Sequence, residues 1–219
     1  MRVLIIDNYD SFTFNLYQYV GDILSRDLEG RPFEVIVKRN DELTLEETRQ
    51  LALDRVIISP GPGTPEDPAY FGICSQIITH IGKTTPVLGV CLGMQGIAHC
   101  FGASIIRARI PVHGKVSAII HDSLGVYKNT PQGVDVMRYH SLIVDVDTLP
   151  DCLEITSIID DSYAADVKSP ADFKQAADNG SEIMGIRHKV FPIEGIQYHP
   201  ESFATEGGKT LLRNFLLDR

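Results

Sequence analysis

The sequence predicts an α/β fold: a central, mostly parallel sheet flanked by helices, with antiparallel strands added to it. In the first half, short apolar runs alternate with stretches whose apolar residues recur at helical spacing, the pattern of a parallel sheet covered on both faces. In the second half the apolar runs are short, turn-bounded and often alternating, which suits antiparallel or mixed additions. Distinctive loops also follow the early strands, where parallel sheets bind their ligands.

Taken in order, Val3–Ile6 is a buried strand ending at Asp7, followed by the polar turn Asn8–Thr13. Ser11 or Thr13 is placed to cap a helix, and Phe12, Leu16, Tyr19, Val20, Ile23 and Leu24 then keep helical spacing. Gly30-Arg-Pro32 breaks that helix, and Phe33–Val37 is the second strand. Thr44-Leu-Glu-Glu47 reads as a capping box opening a short helix to about Leu53. Val56–Ser59 is a third strand and ends in Pro60-Gly-Pro-Gly-Thr-Pro65, too rich in Pro and Gly for regular structure. Tyr70–Ile81 reads as a helix and Val87–Val90 as a strand. Cys91 follows, with Gly89 and Gly93 on either side, and a helical run from Ile97 to Phe101. Further strands are expected at Ser104–Arg107, Val116–Ile120, Val134–Tyr139, Leu153–Ile159, Ile183–Arg187 and Ile193–Tyr198. Asp160–Ser181 is polar and acidic, a loop with a weak helix over Ala171–Ala177, and Gly207–Leu217 closes the chain as a helix.

A length of 219 residues suits one sizeable core, expected as a single domain over 1–219. The net charge of −9 argues against nucleic-acid binding, which needs clustered Lys and Arg. No apolar run reaches membrane-spanning length, and the N-terminus runs straight into a strand without a signal-peptide layout. The four cysteines form no disulfide framework and no C-x-x-C, so a reducing, cytoplasmic setting is expected.

The chemistry centres on Pro86–Gly96. A buried strand stops, the chain turns at Cys91, and a helix starts behind it; the helix N-terminus favours negative charge on the sulfur. Such a nucleophile needs a base and the base an orienting group. Of the seven histidines, His80 and His99 fall on helical runs. His121 and His188 sit at strand ends, and His113 and His140 in turn-like stretches, all without an acid two residues away. His199 ends an apolar strand and is followed by Pro200-Glu201; in extended chain His199 and Glu201 face one side. Oxyanion donors are available from the Leu92 N–H and from Gly63, in Gly61-Pro62-Gly63.

The set Gly89-x-Cys91-x-Gly93-x-Gln95 with His199-Pro200-Glu201 resembles the class I glutamine amidotransferases. Asp7–Thr13, Ser59–Gly63, His113-Gly-Lys115 and Arg138–Leu142 narrow the resemblance to the glutaminase subunits of anthranilate synthase and aminodeoxychorismate (4-aminobenzoate) synthase. It implies a flavodoxin-like amidotransferase fold. It implies Cys91 as nucleophile, His199 as general acid and then base, Glu201 as its orienter, and no metal or cofactor. It further implies Gly61, Pro62, Gly63 and Leu92 around the oxyanion site, and Gln95, Ser141 and Leu142 on the amino-acid end of L-glutamine. The partner implied is a chorismate-binding synthase, docked through Asn8–Thr13 and His113–Lys115. Met94 and Gly96 stand where relatives often carry His and Ala, and the Ser25–Pro32 and Asp160–Ser181 connections look long. Other readings are an amidotransferase for another acceptor and a non-catalytic flavodoxin-like binding module. The second leaves Cys91, His199 and Glu201 unexplained. A structural metal site on those residues lacks metal-type spacing.

Overall fold

The computed structural model describes residues 1–161, 164, 167 and 169–218. β1 (Arg2–Asp7), α1 (Thr13–Asp27), β2 (Glu34–Arg39), α2 (Leu45–Gln50) and β3 (Arg55–Ile58) alternate as expected. Then come α3 (Pro68–Phe71), α4 (Cys74–Gln76) running into a π-turn at Ile77–Ile81, β4 (Val87–Val90) and α5 (Leu92–Cys100). The second half holds β5 (Ile105–His121), β6 (Val134–Val144), β7 (Leu153–Ile159), α6 (Pro170–Asp178), β8 (Ile183–His188), β9 (Ile193–Ile196) and α7 (Gly208–Leu217). Within the Asp160–Ser181 stretch, residues 162, 163, 165, 166 and 168 lie outside the described residues.

One sheet runs β2-β1-β3-β4-β9-β8-β7-β5-β6. From β2 to β9 neighbouring strands are parallel; from β9 to β6 they are antiparallel. Period-two alternation divides the central strands between two cores. Leu4, Ile6, Val56 and Ile58 pack with Cys74, Met94 and Ile97 on one face. Val3, Ile5, Ile57, Leu88 and Val90 pack with α1 and α7, through Leu16, Val20, Leu211 and Leu212, on the other. Near-continuous burial of β1, β3 and β4 follows from this three-layer arrangement. Among the described residues no helix is long and apolar enough to cross a membrane.

The structure corrects several local expectations. Neither Ser11 nor Thr13 caps α1: the Thr13 hydroxyl instead donates to Asp7 Oδ1 at 2.8 Å, tying the helix start to the end of β1. Phe12 is half exposed rather than core. The Thr44–Glu47 capping box is present, with reciprocal bonds of 3.3 and 2.8 Å. The helix expected over Tyr70–Ile81 breaks at Gly72, which has φ +45 and whose missing Cβ would lie 2.2 Å from the Asn40 carbonyl oxygen. Ser104–Arg107 and Val116–Ile120 belong to one long strand, β5, whose register shifts near Pro111 and Gly114 absorb the irregular sequence. His113 and His140 therefore stand on paired strands, not in turns. β9 stops at Ile196, so Gln197, Tyr198 and His199 run beyond it.

Candidate active site

β4 delivers the chain to Cys91, and α5 leaves from it. Cys91 takes φ +52 and ψ −102, a backbone state that costs an L-residue about 1–3 kcal/mol. Hydrogen bonds hold it there. Its N–H donates to the Ile196 carbonyl at 2.8 Å, and its own carbonyl accepts the Gln95 N–H at 3.0 Å. The flanking glycines allow close approach. A Cβ on Gly93 would lie 2.5 Å from the Ile58 oxygen, and one on Gly89 would lie 2.4 Å from the Gly93 carbonyl carbon. The helix is thus pressed against β3 and β4, and the turn falls on the cysteine itself.

The loops after β1 and β3 close around this elbow. The Asn8 amide donates to the Ser59 carbonyl at 2.9 Å, and Asn40 donates to Asn8 Oδ1 at 3.0 Å. Gly61 sits against Asn8 and Leu92, where a Cβ would meet Asn8 at 2.6 Å. Gly63 has φ +78 and faces the Tyr70 ring, which a Cβ would meet at 2.3 Å. Cys74 lies under the same loops; its thiol donates to Asn8 Oδ1 at 3.3 Å, and full burial pushes its pKa up, so it is an inert thiol.

Of the expected residues, Gly61, Gly63, Cys91, Leu92, Gln95, Ser141 and Leu142 line one cavity of about 240 Å³. Pro62 does not. His199 and Glu201 line a second cavity, of about 460 Å³, with Phe12, Tyr19, Met137 and Phe203. Tyr139 borders both. His199 Nδ1 is 2.6 Å from Glu201 Oε1, so Nδ1 carries the proton and Nε2 is left to interact on the other side. Among the described residues, Nε2 and Glu201 Oε2 are buried without a hydrogen-bond partner. Burial opposes charge on His199, but the interactions with Cys91 and Glu201 together outweigh it and raise its pKa well above 6.5. Nε2 makes no hydrogen bond of regular geometry, yet the sulfur is close enough to favour the imidazolium. Among the described residues no group of three or more His, Cys, Asp or Glu is arranged to hold a metal.

Three features go beyond what the sequence alone indicates. Gln197 is fully buried and its Nε2 donates to Cys91 Sγ at 3.4 Å. It lies two residues before His199, so the alternation that pairs His199 with Glu201 also reaches it. His140 fronts the smaller cavity and its Nδ1 donates to the Leu142 carbonyl at 3.2 Å. Arg138 Nε donates to His140 Nε2 at 3.2 Å and bonds Glu182 through its other end. His113 meets Ser141 Oγ at 2.8 Å and also borders the smaller cavity, a position its motif alone did not indicate.

The family model described as "Glutamine amidotransferase class-I" matches residues 4–219. The chain belongs to the class I glutamine amidotransferases. It is 51% identical over 216 residues to the anthranilate synthase component 2 of Leptospira biflexa, covering 99% of each chain. It is 46% identical over 214 residues to the aminodeoxychorismate synthase component 2 of Klebsiella aerogenes, covering 98% of each. Among solved structures, a glutamine amidotransferase from Thermotoga maritima shares the fold with a TM-score of 0.71 at 18% identity, over 99% of this chain and 96% of the other.

Proposed function

We propose that this amidotransferase hydrolyses L-glutamine and hands the ammonia to a chorismate-binding synthase partner, for anthranilate or aminodeoxychorismate formation. The observation that carries the reading is Cys91 on its strained elbow. It opens on a small cavity walled by Gln95, Ser141 and Leu142, with the His199–Glu201 pair behind it. The sulfur attacks the side-chain amide carbon, and the oxygen takes negative charge opposite the N–H groups of Leu92 and Gly63. The C–N bond then breaks, with the His199 imidazolium giving its proton to the departing ammonia. That leaves a γ-glutamyl thioester. Water adds as His199 Nε2 takes its proton, the C–S bond breaks, and glutamate leaves. Glu201 holds the imidazole tautomer throughout.

Free ammonia is mostly protonated at neutral pH, so a sheltered transfer keeps it nucleophilic. The face around the larger cavity suits the partner. Phe12 of the Asn8–Thr13 turn, Tyr139 and Phe203 are exposed there, beside the His113–Lys115 segment, and His199 forms the inner wall. The two relatives named above support either product, and the identity of the partner decides between them. Residues 1–219 act as one catalytic unit in this reading, and the four free cysteines fit a cytoplasmic setting.

The test is Cys91→Ser in the complex reconstituted with each candidate synthase. Glutamine-dependent product formation is lost and ammonia-dependent formation stays. Retained use of glutamine, or labelling by a glutamine-mimicking electrophile at another cysteine, would sink the assignment.

A further inference from the structure

A hydrogen-bonded line runs through the floor of the smaller cavity, and its direction is fixed at both ends. Arginine can only donate, so Arg138 Nε makes His140 Nε2 an acceptor, and His140 Nδ1 must donate to the Leu142 carbonyl. A carbonyl can only accept, so Gln95 presents its Nε2 to Leu142 O, at 3.0 Å. The same Nε2 donates to Gln197 Oε1 at 3.1 Å. With its oxygen taken as acceptor, Gln197 must turn its NH₂ toward Cys91, and Nε2 meets Sγ at 3.4 Å. Reversing either amide would set oxygen against oxygen or nitrogen against nitrogen in a buried site. Gln95 and Gln197 are both buried.

On the reading of this site proposed above, we infer that Gln197 is a positioning residue. It holds the Cys91 sulfur as a hydrogen-bond acceptor, favouring the thiolate, and through Gln95 it ties the nucleophile to the Ser141–Leu142 wall that receives the amino-acid end of glutamine. A donor to a buried anion is worth more than one to a neutral group. The titratable side chain that interacts with the sulfur is His199, while His113 and His140 face the same cavity. The sulfur therefore has the His199 imidazole on one side and an amide donor on the other.

The experiment follows alkylation of Cys91 by iodoacetamide against pH on the full chain, read by peptide mass spectrometry, with Gln197→Met, the isosteric Gln197→Glu and Gln95→Met. Gln197→Met moves the alkylation midpoint up by about one pH unit, a tenfold loss of reactivity at neutral pH. Gln197→Glu, which sets a carboxylate beside the sulfur, moves it further. Gln95→Met keeps the backbone bond to the Cys91 carbonyl and removes only the side-chain amide that holds Gln197, and shifts the midpoint the same way by less. In the reconstituted complex, Gln197→Met lowers kcat for glutamine about tenfold and recovers part of it as pH rises, a response that a packing role would not give. If Gln197→Met fails to fold, judged by circular dichroism, the other two variants decide. An unchanged or lowered midpoint in the folded variants overturns the inference. Alkylation needs no glutamine, so these shifts in the variants, together with no use of glutamine by the wild-type reconstituted complex, refute the proposed function and not the role of Gln197.

Discussion

Replacing Gly93 by alanine sets two effects against each other, and their sizes decide the outcome. Gly93 lies in the first turn of α5, where alanine is better than glycine by up to about 1 kcal/mol in helix propensity. The added Cβ, however, would stand 2.5 Å from the Ile58 carbonyl oxygen, well inside the 3.4 Å at which ordinary contact begins. That oxygen is backbone, at the end of a strand paired on both sides, so it cannot swing away. The helix must move by nearly an ångström instead, against a core in which Met94 and Ile97 are fully buried. Overpacking of this kind costs about 1–3 kcal/mol, so against the full propensity gain Gly93→Ala loses up to about 2 kcal/mol net. Urea unfolding shows it as a lower midpoint at unchanged m-value. The same displacement carries the Leu92 N–H and the Cys91 sulfur off their positions, and misplacement of that size costs about a hundredfold in kcat for glutamine. A variant as stable as wild type with unaltered glutaminase activity would show that the elbow does not depend on close approach of helix and strand.

Glu201→Gln keeps an acceptor for His199 Nδ1 but removes the charge that favours the imidazolium. kcat for glutamine falls about ten- to a hundredfold, most strongly at high pH where the weakened acid is already deprotonated; a change under twofold would refute the role. His140, pushed down to about 4 by burial and by the Arg138 charge, with His199 and His113 adding to it, accepts a proton more readily unfolded than folded. Its contribution is complete above pH 6.5 and disappears as pH falls toward 4, up to about 3 kcal/mol in all. Stability of His140→Gln therefore falls less steeply than wild type between those limits in urea titrations; parallel curves would contradict this. Phe203→Asp, at a side chain 95% exposed, changes stability by under about 0.5 kcal/mol but weakens partner binding measured by calorimetry; unchanged affinity removes Phe203 from the docking face.

How far the sequence could be read depended on the range of the interaction. The parallel half was legible because β1, β3 and β4 are buried on both faces and their loops carry distinctive residues. The elbow at Cys91 and the pairing of His199 with Glu201 were legible because strand-to-helix punctuation and i, i+2 alternation are local patterns. The strand joining Ser104–Arg107 to Val116–Ile120 was not, because Pro111 and Gly114 read as breaks, and only pairing with β6 pulls them into register. Nor were the contacts of His140 and Gln197. His140 depends on Arg138, Glu182 and the Leu142 carbonyl, and Gln197 depends on Cys91, 106 residues away.

The site also holds its cost in identifiable places. Cys91 is strained by about 1–3 kcal/mol. Two buried polar atoms, His199 Nε2 and Glu201 Oε2, lack partners among the described residues, and each such orphan costs about 1–3 kcal/mol. Folding tolerates this because each affected segment is anchored away from the reacting atoms. Cys91 is clamped by Ile196 and Gln95 on its backbone, and His199 by Met137 through its N–H and by Thr205 through its carbonyl. Nε2, the atom left unpaired, is the one that the proposed reaction needs free, first to give a proton to ammonia and then to take one from water. A mutation that supplied Nε2 with a permanent partner should therefore stabilise the fold and slow the enzyme.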